Sequence, residues 1–346
     1  MPRLGLVYDL RMPGFTPRQR ADHYRTCVEQ AAWADRVGIG QVVLREHHGS
    51  PDGYLPSPLV LAGGLAAATE RVTIMLQALV APLHDPVRLA EDLAVLDLMA
   101  AGRLVVVLGA GYAPHEHAMF GKRFDRRPSD MARAVAVLRQ AWAGGEFELD
   151  GRPVHVTPQP YQDGGPPLVL GGASAGAARR AARIADGFLG VRDQFYGEYR
   201  DEVVAQGRPD PGPQSKVGPF FLYVAEDPER AWAEIGAYCL HESNTYGELA
   251  RRAGLHTGFA EFADTDALRA SGQYPVMTPE EVVALCHELG PDGRLTIPPL
   301  VGGMDPELSW RSLELLEKQV LPHVESTPSP PSSYRVSPPT SIGAAR

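Results

Sequence analysis

The sequence predicts an α/β protein of one main domain, a (β/α)8 TIM barrel with an insertion or lid near its C-terminal third. Three observations predict it. Short apolar segments alternate with helix-patterned ones along the whole chain. The apolar segments are Val/Leu runs of the kind buried on both faces of a parallel sheet. Roughly eight such steps follow one another without a second composition block, which favours closure over an open doubly wound sheet. A length of 346 residues suits this fold, which runs from about 250 residues to beyond 400 with insertions.

The elements follow in order. Leu4–Tyr8 is a strand, and Tyr24–Val37 a helix stopped at Gly38. Val42–Leu44 is the second strand. Pro58–Thr69 is a helix with Ser57 as its cap and proline in its first turn. Val72–Val80 is the third strand, and Pro86–Met99 a helix capped by Asp85 and ended by Gly102. Leu104–Leu108 is the fourth strand and Met131–Trp142 a helix. Glu146–Val156 reads as a hairpin turning at Asp150-Gly151. Leu168–Leu170 is a strand, Ser174–Ala185 a helix, and Phe188–Val191 and Val217–Val224 are strands. Thr278-Pro279-Glu280-Glu281 is a capping box opening the helix Glu281–Leu289. Arg294–Ile297 is the last strand and Pro306–Val320 the last helix, stopped by Pro322.

Two stretches break this rhythm. Residues 226–277 carry aromatics and glycines without clean strands, and are expected to form the lid. The barrel is expected over residues 1–325, and the Pro/Ser-rich residues 326–346 as a disordered tail.

Composition excludes several classes. The formal net charge of −9 argues against nucleic acid, and the Arg-Arg pairs at 126–127, 179–180 and 251–252 read as solvated helix faces. Three scattered cysteines offer no C-x-x-C spacing. No apolar run reaches the roughly 20 residues of a membrane helix. The N-terminal MPRLGLVYDL lacks a leader pattern. A cytoplasmic protein without membrane, metal or nucleic-acid partners is expected.

Barrel enzymes work at the C-terminal ends of their strands, so candidates are sought there. After the second strand stand Arg45-Glu46-His47-His48. Adjacent residues on an extended chain point opposite ways, so the two histidines are not a chelating pair; either one is an acid/base or both are hydrogen-bonded structural residues. After the third come Gln77-Ala78, which alone carry no signal. After the fourth, Gly109-Ala110-Gly111-Tyr112 would let a ligand approach the backbone, or make a tight turn. After the fifth, Gly171-Gly172-Ala173-Ser174 opens a helix, either as an anion site or as an ordinary capped turn. His115-Glu116-His117 is expected to face solvent rather than a metal, and Trp33, Trp142, Trp232 and Trp310 to pack. Asp9 and Glu46 are the only tempting carboxylate pair for a barrel hydrolase.

Taken in order, several pieces resemble the luciferase-like monooxygenase family over about residues 4–325. They are VVLREHHGSPDGYLPSPLVLAG at 42–63, P-x-x-x-P-V-R-x-A-E-D at 82–92 with LDLMAAGR at 96–103, and GAGY at 109–112. PPLVLGGAS at 166–174, ARIADGF at 182–188 and GGMDPELSWRSLELLEKQVLPH at 302–323 complete the series. The resemblance implies reduced FMN supplied by a flavin reductase, oxygen, a flavin 4a-hydroperoxide, and a small apolar organic substrate. It implies a non-prolyl cis peptide at Gln77–Ala78, a catalytic His47 braced by Glu46, cofactor contacts at Gly109, Gly111, Tyr112 and Gly171, and a phosphate met by Gly172, Ala173 and Ser174. A homodimer is also implied. Ala110 and Gly109 depart from luciferase, which has an arginine and a reactive cysteine there; light emission is not expected. On the same fold, the rival readings are a deazaflavin-dependent hydride-transfer enzyme and a non-catalytic flavin-binding barrel.

Overall fold

The computed structural model describes residues 2–190, 192–254, 260–324 and 334. The chain forms two compact units, residues 1–56 with 215–329 and residues 57–214 with 330–346. The first unit begins with β1 (Arg3–Tyr8), α1 (Pro17–Val37) and β2 (Gln41–Leu44). Helix α1 starts at Pro17, about two turns earlier than its apolar pattern indicates. Thr16 and Gln19 form a reciprocal capping box there, and Gly38 ends the helix at φ 88°.

The second unit then forms. It contains α2 (Pro58–Ala68), β3 (Thr73–Val80), α3 (Pro86–Met99), β4 (Leu104–Gly109), α4 (Pro114–Met119) and α5 (Arg127–Trp142). The hairpin β5 (Glu146–Leu149) and β6 (Arg152–His155) follows, then β7 (Leu168–Gly172), α6 (Ala175–Ile184), β8 (Gly187–Gly190) and α7 (Asp193–Ala205). Strands β3, β4, β7 and β8 pair in parallel in that order. The residues of β4 from Leu104 to Leu108 are fully buried, each stabilising the fold by about 1.5–3 kcal/mol. Asp85 caps α3 by accepting from Val87 and Arg88 amides, as its position predicts. Ser57, by contrast, makes no side-chain cap bond: its φ −135°, ψ 68° lie outside the extended geometry a cap uses. The hairpin turns at Asp150 and Gly151, both at positive φ. Val191 lies outside the described residues.

The chain returns to the first unit with β9 (Tyr223–Val224), α8 (Pro228–Arg252), α9 (Thr265–Ala270), β10 (Val276–Met277), α10 (Pro279–Leu289), β11 (Arg294–Ile297) and α11 (Pro306–Leu315). Strands β11, β1 and β2 pair in parallel, so the first strand of the chain lies beside its last. The strand expected at 217–224 is only two residues long, plus an isolated bridge from Val217 to Arg294. Gly218-Pro219 interrupts it, and proline cannot donate to a ladder. The rest of that expected strand is irregular.

The stretch 226–277 is mostly helical. Helix α8 alone runs 25 residues, capped by Asp227. Its glycines serve packing: a Cβ at Gly236 would sit 3.2 Å from Thr265, and one at Gly247 2.9 Å from Ala260. Phe221, Trp232, Ile235, Cys239, Leu268 and Met304 form the apolar cluster under it. The last helix continues past Leu315 as a π-helical turn to Val320. Apart from Tyr334, the tail predicted at 326–346 lies outside the described residues, as do residues 255–259 within the predicted lid.

Candidate active site

In the first unit, the residues after β1 and β2 meet α8. Arg11 is completely buried. Its Nε reaches Asp9 at 3.1 Å and its Nη1 reaches Asp52 at 2.6 Å. Its guanidinium lies 4.6 Å from the centroids of both Tyr54 and Tyr246. The two tyrosine hydroxyls are 2.8 Å apart. Arg45 donates from Nη1 to the Tyr246 hydroxyl at 3.1 Å and lies 4.5 Å above the Phe220 ring.

His47 and His48 go different ways, one to aromatic rings and the other to a carboxylate. His47 is buried edge-on to Tyr54, with centroids 4.8 Å apart and planes at 90°, and meets Tyr246 at 6.5 Å. His48 Nε2 is 2.9 Å from Glu46 Oε1. Asp9 and Glu46 are each held by a basic partner, Arg11 and His48, so they do not form the free pair a glycoside hydrolase uses.

Two carboxyls in this network are displaced in opposite directions. Burial acts to raise Asp52, but the His241 hydrogen bond, the Arg11 charge and the Ser50 hydroxyl hold it well below the usual carboxylate range. Glu242 on α8 is pushed up to about 8 by burial and by the negative charge of Asp9, against the pull of Arg45 and Arg11. The Tyr274 hydroxyl donates to it at 3.0 Å. A carboxyl raised in the fold binds more protons than in the unfolded chain between its ordinary value of 4.5 and about 8. Its contribution to stability therefore falls as pH rises through that window. Urea unfolding of wild type and Glu242→Gln across pH 5–8 is expected to show the wild type losing stability relative to the variant as pH rises; parallel curves would contradict this.

A cavity of about 370 Å³ opens on α8, lined by Leu240, His241, Asn244, Glu248 and Glu261 among others. None of the residues nominated from sequence lines it. It touches the network through His241, whose Nε2 is 2.9 Å from Asp52.

In the second unit the Gln77–Ala78 peptide is cis and not prolyl, and the register with β4 shifts between Gln77 and Leu79. A Cβ at Gly109 would lie 3.0 Å from Ala78 Cβ, so a cysteine in that place would crowd it. Gly111 has φ +73°, and a Cβ there would meet His117 at 2.7 Å and Val80 at 2.8 Å. This glycine is required by its own backbone and neighbours as well as by any ligand. Gly171 and Gly172 end β7. A Cβ on Gly172 would lie 2.5 Å from Ala177 Cβ, so the first turn of α6 presses on the strand end. Ser174 caps α6, its hydroxyl accepting from the Ala177 amide at 3.2 Å. Tyr112 and Ala173 flank these turns.

The H-x-H motif corrects one expectation. His115 is exposed, but Glu116 and His117 are buried on α4. His117 Nδ1 is 3.2 Å from the Ala113 carbonyl, and its ring meets Phe124 edge-on. The helix turns these two residues inward. Among the described residues no three His, Cys, Asp or Glu are grouped to hold a metal. No described helix is long and apolar enough to cross a membrane. The cysteines are free and buried. Trp33 and Trp142 are buried and donate to Glu317 and the Ala90 carbonyl, Trp232 is buried, and Trp310 packs edge-on against Trp33.

The residues that sequence reasoning missed are Arg11, Asp52, Tyr54, Tyr246 and Glu242. They come from three separate segments, and no fixed spacing links them.

Parallel strands alternating with helices, an E-H-H run after the second strand and a non-prolyl cis peptide in the third define an α/β protein of one recognisable class. The sequence model described as Luciferase-like monooxygenase matches residues 8–291, and the chain belongs to that family. An alkanal monooxygenase alpha chain of Photorhabdus luminescens is 29% identical over 155 residues, 43% of each chain. An F420-dependent glucose-6-phosphate dehydrogenase of Kineococcus radiotolerans is 28% identical over 72% of this chain and 79% of its own. The chain spans about half the length of the first curated relatives it matches, 47%, 49% and 43% of theirs. Among solved structures, monooxygenase RslO1 from Streptomyces bottropensis superposes with a TM-score of 0.72 at 25% identity, over 93% of this chain and 99% of that one.

Proposed function

We propose that the protein is a monooxygenase that uses reduced FMN, delivered by a flavin reductase, and oxygen to oxygenate a small organic substrate with an apolar body. The observation that carries this reading is the E-H-H run, Glu46 to His48, on a chain of this family. The second unit's residues suit a flavin phosphate: Gly172 and Ala173 lead from the end of β7 into the α6 N-terminus, and the Ser174 hydroxyl can donate outward while it accepts from Ala177. Reduced flavin, when bound, would supply the electrons that activate oxygen. His47 would hold or release a proton at its imidazole, with its ring oriented by Tyr54. Glu46 acts through His48 to fix this stretch. Gln77, Ala78, Gly109, Gly111, Tyr112 and Gly171 would form the wall for the ring. Residues 226–277 would set substrate choice as a lid.

A deazaflavin-dependent hydride transfer is the second reading, favoured by the long alignment with the F420-dependent relative. Anaerobic titration with reduced FMN and with reduced F420, followed by admission of oxygen, separates the two. Tight binding of F420 with no hold on FMN would overturn the proposal.

We also propose a homodimer. All eleven residues of α2 are apolar, and a helix apolar all round belongs in an interior. Yet Val60 is 78% exposed, and Leu98 and Met99 of α3 are also exposed. A monomer in sedimentation analysis at micromolar concentration would remove this proposal.

A further inference from the structure

Arg11 and Arg45, the two arginines of this network, are treated differently. Arg11 is saturated by two aspartates and two rings. Arg45 is partly buried, and among the described residues its guanidinium has one polar partner, the neutral Tyr246 hydroxyl, and the face of Phe220. No carboxylate lies within ion-pairing distance of it among those residues. Glu242 on α8 acts on it electrostatically without a hydrogen bond between them, and burial disfavours the charged form of that carboxyl. A partly buried guanidinium with one neutral hydrogen-bond partner keeps donors for an anion, and its planar fork matches a carboxylate in two parallel hydrogen bonds. Arg45 and His47 both reach Tyr246, Arg45 at its hydroxyl and His47 at its ring. The aromatic surface of Phe220 beside the guanidinium suits an apolar body attached to that carboxylate.

We infer that Arg45 is a specificity-determining residue that selects substrates bearing a carboxylate. The inference rests on the proposed function, since it names the substrate class of that chemistry. The same guanidinium could instead serve the phosphate of the flavin, so the test has two arms.

In the first arm, calorimetry compares benzoate with benzamide, and hexanoate with hexanamide, on wild type, Arg45→Met and Arg45→Lys. Wild type is expected to prefer at least one acid over its amide by about 10- to 100-fold. Arg45→Met should lose that preference, and Arg45→Lys, which keeps the charge without the fork, should fall between. Circular dichroism and a second neutral variant, Arg45→Gln, check that the loss is not unfolding. In the second arm, reduced FMN and riboflavin are titrated into the same proteins, and the ratio of their affinities is expected to be unchanged by Arg45→Met. Acids bound no better than amides by wild type, or an acid preference surviving in both neutral variants, would overturn the inference. So would a loss of FMN over riboflavin preference in Arg45→Met, which would make Arg45 a phosphate cation. A protein that binds no flavin but keeps an Arg45-dependent acid preference would retain this inference while the monooxygenase reading failed.

Discussion

Replacing His47 with alanine is expected to lower turnover about 10²–10⁴-fold, the usual loss for a positioned acid or base, while leaving affinity for reduced FMN within a few-fold. His47 is buried and packs edge-on against Tyr54, so the ring is oriented by aromatic contact. His47→Gln, which keeps bulk and a hydrogen-bonding tip but cannot titrate near neutrality, should lose nearly as much. Flavin affinity is read anaerobically and turnover as oxygen uptake with substrate. A His47→Ala enzyme running at wild-type rate would take this residue out of the chemistry. Unchanged flavin binding in a protein that never turned over in any form would instead favour a storage role.

Arg11→Met carries the largest expected loss of stability, about 3–5 kcal/mol, because it strands buried carboxylates rather than deleting a whole pair. Asp9 and Asp52 both pair with this one guanidinium, and Asp52 keeps His241 and Ser50 besides. The lowered pKa of Asp52 means that its ionised form stabilises the fold above its ordinary value of 3.8, and that this contribution is lost as pH falls through its folded value. Arg11→Met should shrink that contribution, and adding Asp52→Asn should restore part of the loss. Urea unfolding of the three proteins at neutral pH measures this. A single variant within about 0.5 kcal/mol of wild type, the range of an ordinary surface change, would show that the charges are not interdependent.

The fold was legible where local rules operate. Asp85, Ser174 and Thr278 cap their helices, and Asp150-Gly151 turns its hairpin, because these signals act within a few residues. Helix α8 is not evident in a stretch that reads as aromatics and glycines without clean strands; Gly236 and Gly247 lie inside it, and each admits a neighbouring segment against the helix. The end of β2 was legible through Glu46, His47 and His48. The network around it was not: Arg11, Asp52 and Tyr246 become neighbours only once β1, the turn after β2 and α8 are assembled. One local clue was available, since Arg11 stands two residues after Asp9 and their side chains do pair. For His115-Glu116-His117, polarity suggested solvent, but a short helix turns two of the three inward.

The anchoring of α8 bears on how such an enzyme could be re-engineered. His241 and Tyr246 reach back to Asp52, Arg11, Arg45 and Tyr54, so residues 228–252 are not an exchangeable cassette. A chimera carrying this helix from another parent should fold poorly unless positions 9, 11, 45, 52 and 54 are transplanted with it. Directed evolution of substrate range would then have to move through paired changes on both sides of that joint.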